Sequence, residues 1–351
     1  METPAAFKEA SGEWVVAQPR DEAPKGKWWQ VFNDPVLDAL AEQVSVSNQT
    51  LRAAEARYTQ ARAAVQSARS GLFPSVGASA GASRSRRGEA GSTTSYDVGL
   101  DARWEVDLWG RVRRLVEASR AGEQASAADL EAVRLSLQSE LAVNYFQLRV
   151  ADVQRQLLED SVKAFATSLQ VTQNRYKAGV AARVDVVQAE AQLKSTEAQA
   201  LDLRVARAQL EHAIAVLIGK APSSFSLAPA KFDARIPRIP PGLPSTLLER
   251  RPDVAAAERR VAAANARIGA ARVAYFPSLS LTGGAGFASG ALSTLISAPS
   301  RTWSLGLGAA ATILDFGARA AGVDAARAAH DETVANYRQT VLEALQETED
   351  Q

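Results

Sequence analysis

The 351-residue chain contains no cysteine, so disulfides, thiolate-bound zinc and thiol nucleophiles are excluded. Only two histidines occur, His212 and His330, which leaves triad and imidazole-metal chemistry without its usual residue. Both read as ordinary residues on helices. No run of about 18 apolar residues is present, and a membrane-spanning helix is therefore not expected. Charge of one sign is missing too: 40 Lys and Arg stand against 39 Asp and Glu, for a net +1. That balance gives no basic footprint for nucleic acid. The opening residues, METPAAFKEA, lack the charged and apolar regions of a secretory leader, which leaves either a cytoplasmic location or a targeting segment outside this chain. Proline is absent between Pro74 and Pro222, and from Arg111 to Lys177 the only glycine is Gly122. That stretch predicts one helix of about 100 Å at 1.5 Å per residue.

What is present is a duplication. Phe73-Pro74-Ser75 returns as Phe276-Pro277-Ser278. Upstream, Leu51, Ala54, Tyr58, Ala61, Val65, Ala68 and Leu72 match Val254, Ala257, Val261, Ala264, Ile268, Ala271 and Tyr275 in register. Alternating steps of three and four make each set a coiled-coil seam, with alanine where backbones approach closely. Asn48 reads as the N-cap before Leu51, although Asn48-Gln49-Thr50 also fits a glycosylation sequon. Pro252 and Asp253 suit the first turn of the second copy.

After each Phe-Pro-Ser the period falls to two. In SYDVGLDARWEVDL, Tyr96, Val98, Leu100, Ala102, Trp104, Val106 and Leu108 alternate with Ser95, Asp97, Gly99, Asp101, Arg103, Glu105 and Asp107. Val76, Ala78, Ala80 and Ala82 alternate with serine and glycine, as do Leu279, Leu281, Ala285 and Phe287. Trp303, Leu305, Leu307, Ala309, Ala311 and Ile313 form a fourth apolar row. An ordinary sheet on a soluble core fits such alternation, but long strands with charge on one face fit a transmembrane β-barrel better. Four strands cannot close a barrel, and open edges are not tolerated in lipid, so the chain would supply one sector of a shared one. Three copies would give twelve strands. Val98, Leu100, Trp104, Leu305 and Leu307 are then expected to face lipid, and Asp97, Asp101 and Arg103 the lumen.

Leu158, Val162, Phe165, Leu169, Thr172 and Tyr176 carry a seam towards Gly179, a helix stop, and a second helix is expected from about Val184 to Ile218. The expected organisation is an extended tail over 1–34, a first repeat over 35–219 and a proline-rich linker over 220–249. A second repeat follows over 250–351. The first repeat holds strands near 72–83 and 95–108 and a helical hairpin near 111–219. The second holds strands near 278–287 and 302–314 and a helix from about 317.

LWGRVRR, NYFQLRVADVQ, RYKAGVAARVDVVQAEAQL, ILDFGAR, YRQTVLEALQETED and above all GLPSTLLERRPDVAAAERRVAAANARIG resemble the TolC-like outer-membrane factors. More narrowly, they resemble NodT-type efflux lipoproteins of tripartite RND multidrug pumps. WWQVFNDPVLDAL resembles the same family, so the likeness covers nearly the whole chain from Trp28. The resemblance implies a mainly α fold with a four-strand β contribution, built from a duplicated helix-strand-strand-helix unit. It implies a homotrimer whose helices form an α-barrel below a shared β-barrel in outer-membrane lipid. It further implies a passive conduit without cofactor, metal or catalytic residue, partnered by a periplasmic adaptor and an inner-membrane RND transporter. The turn at Arg175, Tyr176, Gly179, Val180 and Asp185 matches the family's adaptor-contacting tip, although each also reads as turn chemistry.

The family's leader and lipid-bearing cysteine are not found in these residues. The first repeat runs through a tip and a returning helix, whereas the second reaches LQETEDQ near the corresponding point. A second helical hairpin is therefore expected to be missing, and these 351 residues as written are expected not to form a gated channel. Gly77-Ala78-Ser79-Ala80-Gly81 satisfies the GxSxG pattern, but Ser79 falls mid-strand rather than at a strand-turn-helix elbow, so an enzyme is not expected. The rival reading is a periplasmic coiled-coil adaptor, which would have one hairpin and no twofold repeat.

Overall fold

The computed structural model describes residues 26–86, 88, 91–230, 232 and 250–350. Its elements in order are α1 (Pro35–Ser47), α2 (Gln49–Ser70), β1 (Ser75–Arg86), β2 (Ser92–Glu105), α3 (Arg111–Lys177) and α4 (Arg183–Leu217). The second half adds α5 (Pro252–Arg272), β3 (Ser278–Ser289), β4 (Arg301–Ala310) and α6 (Ala318–Glu349). No described helix is long and apolar enough to cross a membrane. The chain divides into two compact units that cut across the sequence repeat.

One unit draws on Glu22–Glu55 and Leu130–Pro241. Its core is Trp29, Leu37, Leu40, Ala41 and Val44 packed with Leu141, Ala142, Tyr145, Leu148, Ile214, Leu217 and Ile218. Residues expected in an extended tail are drawn into it: Trp28–Phe32 form a 3-10 turn whose Trp29 is buried in this core and whose Phe32 ring packs edge-on against Phe146. Asp34 then caps α1, accepting from the amides of Val36 at 2.9 Å and Leu37 at 3.1 Å. Its other oxygen accepts the Tyr145 hydroxyl at 2.5 Å. Burial, reinforced by that bond to a carboxylate, pushes the Tyr145 phenol up to about 12.

Asn48 separates α1 from α2 as the sequence predicts. Its carboxamide oxygen accepts the Leu51 amide at 3.0 Å and its nitrogen donates to the Leu217 carbonyl at 2.8 Å. Gly219 ends α4 in the left-handed region, φ +71°, where a Cβ would stand 2.3 Å from the Ser47 carbonyl oxygen.

A buried charge network fastens residues 227–230 across α3 and α4. Asp152 meets Arg207 at 2.6 Å and Arg149 at 3.2 Å, and accepts the Ala230 amide. Arg149 and Arg207 donate to the carbonyls of Ala228 and Leu227, while Glu211 accepts the Leu227 amide. Every partner is charge-assisted, and the Arg149 guanidinium also lies 4.9 Å from the Tyr145 ring centre. Nothing in the seam periodicity announced this network.

The second unit draws on Ala56–Asp129 and Gly242–Gln351. Along α5 the predicted seam is buried or half-buried through Ala271, but Tyr275 is exposed, in a 3-10 turn. Ala255, Ala256, Ala263 and Ala266 are buried as well, so α5 is covered on more than one stripe. Val254 packs with Val341 and Ala344 of α6, and Ala255 and Ala256 with Ala128 of α3. Arg251 ties Asp253 and Glu347 at 2.7 Å each, and Arg260 meets Asp129. Burial pushes the Asp253 carboxyl up, but the Arg251 guanidinium and the Val254 amide outweigh it and hold the group below the usual carboxylate range. Most of the proline-rich linker expected over 220–249 lies outside the described residues.

The buried network makes a direct prediction. Replacing Asp152 with alanine leaves the buried Arg149 guanidinium without a carboxylate and Arg207 with Glu211 alone, at a cost of about 3–5 kcal/mol. Glu131→Gln, at a half-exposed pair with Arg134, is expected to cost under about 1 kcal/mol. Thermal unfolding of the detergent-solubilised chain checks the contrast, and equal midpoints would refute it.

Candidate functional site: a two-faced sheet and a helical tip

Four antiparallel strands pair in the order β1-β2-β3-β4, so the sequence halves meet where β2 joins β3. Strand limits differ from expectation by a few residues. Pairing carries β1 on to Arg86, opposite Ser92, while β2 ends at Glu105 and β4 at Ala310. Register lines the alternating residues into rows across the sheet. Ala78 stands opposite Leu100, Leu100 opposite Ala285, and Ala285 opposite Trp303. Trp104, Leu281 and Leu307 form another such row. Val98, Leu100, Trp104, Leu305 and Leu307 therefore share one face, and that face is apolar. Val98 and Trp104 are half-buried, but along β4 the face is uncovered among the described residues: Trp303 is 83% exposed and Leu305 73%.

The other face carries Asp97, Asp101 and Arg103, all exposed. Asp101 stands between Gly77 and Gly284, and Arg103 between Ser75 and Thr282. Asp97 faces Gly81, where a Cβ would come within 2.7 Å of its carboxylate oxygen. At Gly286 the same addition would lie 2.4 Å from the Val98 carbonyl oxygen. Glycine at 286 is thus required by close approach to backbone, whereas at 81 the Asp97 carboxylate could swing aside, a distinction alternation alone does not show. Ser79, in the false hydrolase motif, sits mid-strand opposite Gly99.

Where strands meet helices lies an exposed apolar belt that the sequence reading missed. Phe73, Leu108, Trp109, Tyr275, Phe276, Ile313 and Phe316 all belong to it, with Ile313 94% exposed. Trp109 stacks on Phe276 at 4.9 Å and donates to the Pro277 carbonyl at 2.7 Å. The signal was available, since these residues flank the FPS, LWG and ILDFG motifs. Along β2, Tyr96 to Trp104 spans about 27 Å of strand, or near 20 Å of height at the usual tilt, and the belt extends that towards the ~25 Å apolar band of an outer-membrane barrel. A sheet with one bare apolar face, one wet face and unpaired outer strands has the chemistry of a barrel wall rather than of a soluble core.

At the far end of α3 the chain turns through residues 178–182. The Gly179 amide donates to the Tyr176 carbonyl and the Val180 amide to the Arg175 carbonyl, both at 2.9 Å, with Gly179 at φ +74°. Asp185 accepts the Ala182 amide at 2.9 Å, one half of a capping box. The structure brings Arg175, Tyr176, Gly179, Val180 and Asp185 together on one exposed turn. Half-buried Leu158, Val162, Phe165, Leu169 and Thr172 line α3 towards it. His212 and His330 lie on helices α4 and α6, and no cluster of metal-ligating residues occurs among the described residues.

Comparison with known proteins agrees with this geometry. The family model for outer membrane efflux proteins matches residues 40–220 and 243–351. The chain is 33% identical over 332 residues to the probable efflux pump outer membrane protein TtgC of Pseudomonas putida, spanning 92% of this chain and 69% of that protein. It is 30% identical over 328 residues to the cation efflux system protein CusC of Escherichia coli, spanning 92% and 71%. Among solved structures, the outer-membrane channel OprN superposes with a TM-score of 0.87 at 34% identity, covering 98% of this chain and 81% of that one. Both halves of the chain are matched, which decides against the adaptor reading. The chain belongs to the outer membrane efflux protein family.

Proposed function

We propose that each chain contributes a four-stranded sector to a trimeric twelve-stranded barrel, with Asp97, Asp101 and Arg103 on the lumen wall and the apolar face on outer-membrane lipid. The protein is the outer-membrane channel of an efflux pump, a passive conduit extending into the periplasm rather than an enzyme. As one component of such a pump it works with an adaptor and an inner-membrane transporter. The observation that carries the sector reading is the pair of open edges, β1 and β4, on a sheet whose apolar face is uncovered. In hydrocarbon each unpaired N–H or C=O costs several kcal/mol, so β4 of one protomer must pair with β1 of the next. Three sectors give a closed barrel within the size range of outer-membrane barrels. Relatives are named for toluene, antibiotic, pyoverdine and cation export. A wall of serine, glycine and mixed charge suits a conduit of low selectivity. The exposed turn from Arg175 to Asp185 is the surface we assign to adaptor contact.

The native mass of the detergent-solubilised chain is expected at three protomers, and a monomer under conditions that preserve folding would sink the shared barrel. Within the sheet, Leu305→Arg is expected to cost about 2–4 kcal/mol in the membrane and to reduce assembled channel, whereas Ser304→Arg, one residue away on the wet face, should cost far less. Equal tolerance in a heat-modifiability or assembly assay would count against the facing. At the tip, Arg175→Glu, made in a background that carries both helical hairpins, is expected to impair efflux with assembled channel unchanged. Asp185→Asn keeps an oxygen for the Ala182 amide but removes the charge, while Asp185→Ala also loses a cap bond of about 1 kcal/mol. Efflux unaffected by both Arg175→Glu and Asp185→Asn would return the turn to a purely structural role.

A further inference from the structure

The apolar face of the sheet ends in positive charge. Arg84 and Arg86 occupy the last positions of β1, and Arg301 opens β4, so all three lie at the end of the sheet away from the helices. Register places them in the outward rows. Arg84 and Arg86 continue the series Val76, Ala78, Ala80 and Ala82, and Arg301 stands opposite Phe287. All three are exposed, and none makes an ion pair among the described residues. Their outward neighbours Ser92, Thr94 and Ser289 are neutral. Asp97 and Asp101 project from the opposite face and cannot neutralise them; Glu89, between β1 and β2 in sequence, lies outside the described residues.

A second observation lies beside the first. The outward face holds an apolar hollow of about 800 Å³ lined by Ala78, Ala80, Leu100, Phe287, Ile296 and Trp303, with Arg301 among its lining residues. It exists because β1 presents alanine where its neighbours present Leu100, Phe287 and Trp303. A hollow of this size accepts a hydrocarbon chain, and a guanidinium beside it supplies the planar fork that binds phosphate in bidentate fashion.

We infer that this surface binds one phosphorylated lipid of the outer leaflet. An acyl chain occupies the hollow, Arg301 takes the phosphate, and Arg84 and Arg86 of the adjoining protomer complete the site. The inference rests on the shared-barrel reading, because β1 and β4 are opposite edges of one sheet and meet only between protomers. Three such sites would ring the barrel. Arginine facing outward near the interface costs far less than at the bilayer midplane, and a phosphate headgroup at that level adds a charge-assisted partner.

The test uses the full chain in detergent with lipid A, which carries two phosphates, and the same lipid after dephosphorylation, bound lipid being counted by native mass spectrometry. Up to three lipid A molecules per trimer are expected, with at least tenfold lower retention of the dephosphorylated form. The combined variant Arg84→Gln, Arg86→Gln and Arg301→Gln should lose at least tenfold while remaining a trimer, and lysine at the same positions should recover part of the loss. Trp303→Ala should weaken retention with the arginines intact. Retention independent of the arginines or of the lipid phosphates, in a trimeric protein, overturns the lipid site alone. Displacement by millimolar inorganic phosphate with no effect of Trp303→Ala also overturns it, since the hollow then has no part. A monomeric wild type removes the shared barrel and the composite site with it.

Discussion

Backbone groups along the free sides of β1 and β4 have no partner within their own sheet, and this governs what the protein can be. In water such edges would solvate or aggregate; in hydrocarbon they must be paired. The bare apolar face removes the aqueous option, because Trp303, Leu305 and Leu307 are covered by nothing the protomer provides. Closure with further copies satisfies both demands at once. Glycine at 286 follows from the close spacing of the paired strands, since a Cβ there has no room against the Val98 carbonyl.

The helical part is held by different means. Alanines at 128, 255 and 256 let α3 and α5 approach closely, and alanine burial contributes little area per residue, so specific polar locks matter more there. The Arg149–Asp152–Arg207–Glu211 network fixes the crossing segment at Leu227 to Ala230, and Asp34 joins the α1 cap to Tyr145. Removing one member exposes the others to an uncompensated interior, which gives the locks their cost and their specificity.

At the tip, local chemistry and surface chemistry coincide. Gly179 supplies the left-handed residue and Asp185 the cap, leaving Tyr176 and Val180 uncovered on a short, rigid turn. A turn that needs no partner for its own conformation is well placed to present side chains to another protein.

The sequence by itself determined the duplicated unit, the helix from Arg111 to Lys177, the cap at Asn48 and which side chains alternate in each strand. These follow from periods of 3.5 and 2, from glycine and proline positions, and from side chains acting on their own backbone. Only the tertiary structure decided that β2 pairs with β3 across the two repeats, that Trp28–Phe32 joins a core, and that α5 is buried on several stripes. It also decided that Asp152 sits between two arginines, that the apolar belt gathers at the strand–helix junctions, and that Arg84 and Arg301 share a face. Each of these is a contact between residues far apart in the chain. Periodicity fixes the direction a side chain takes from its own element, but it carries no information about what stands opposite.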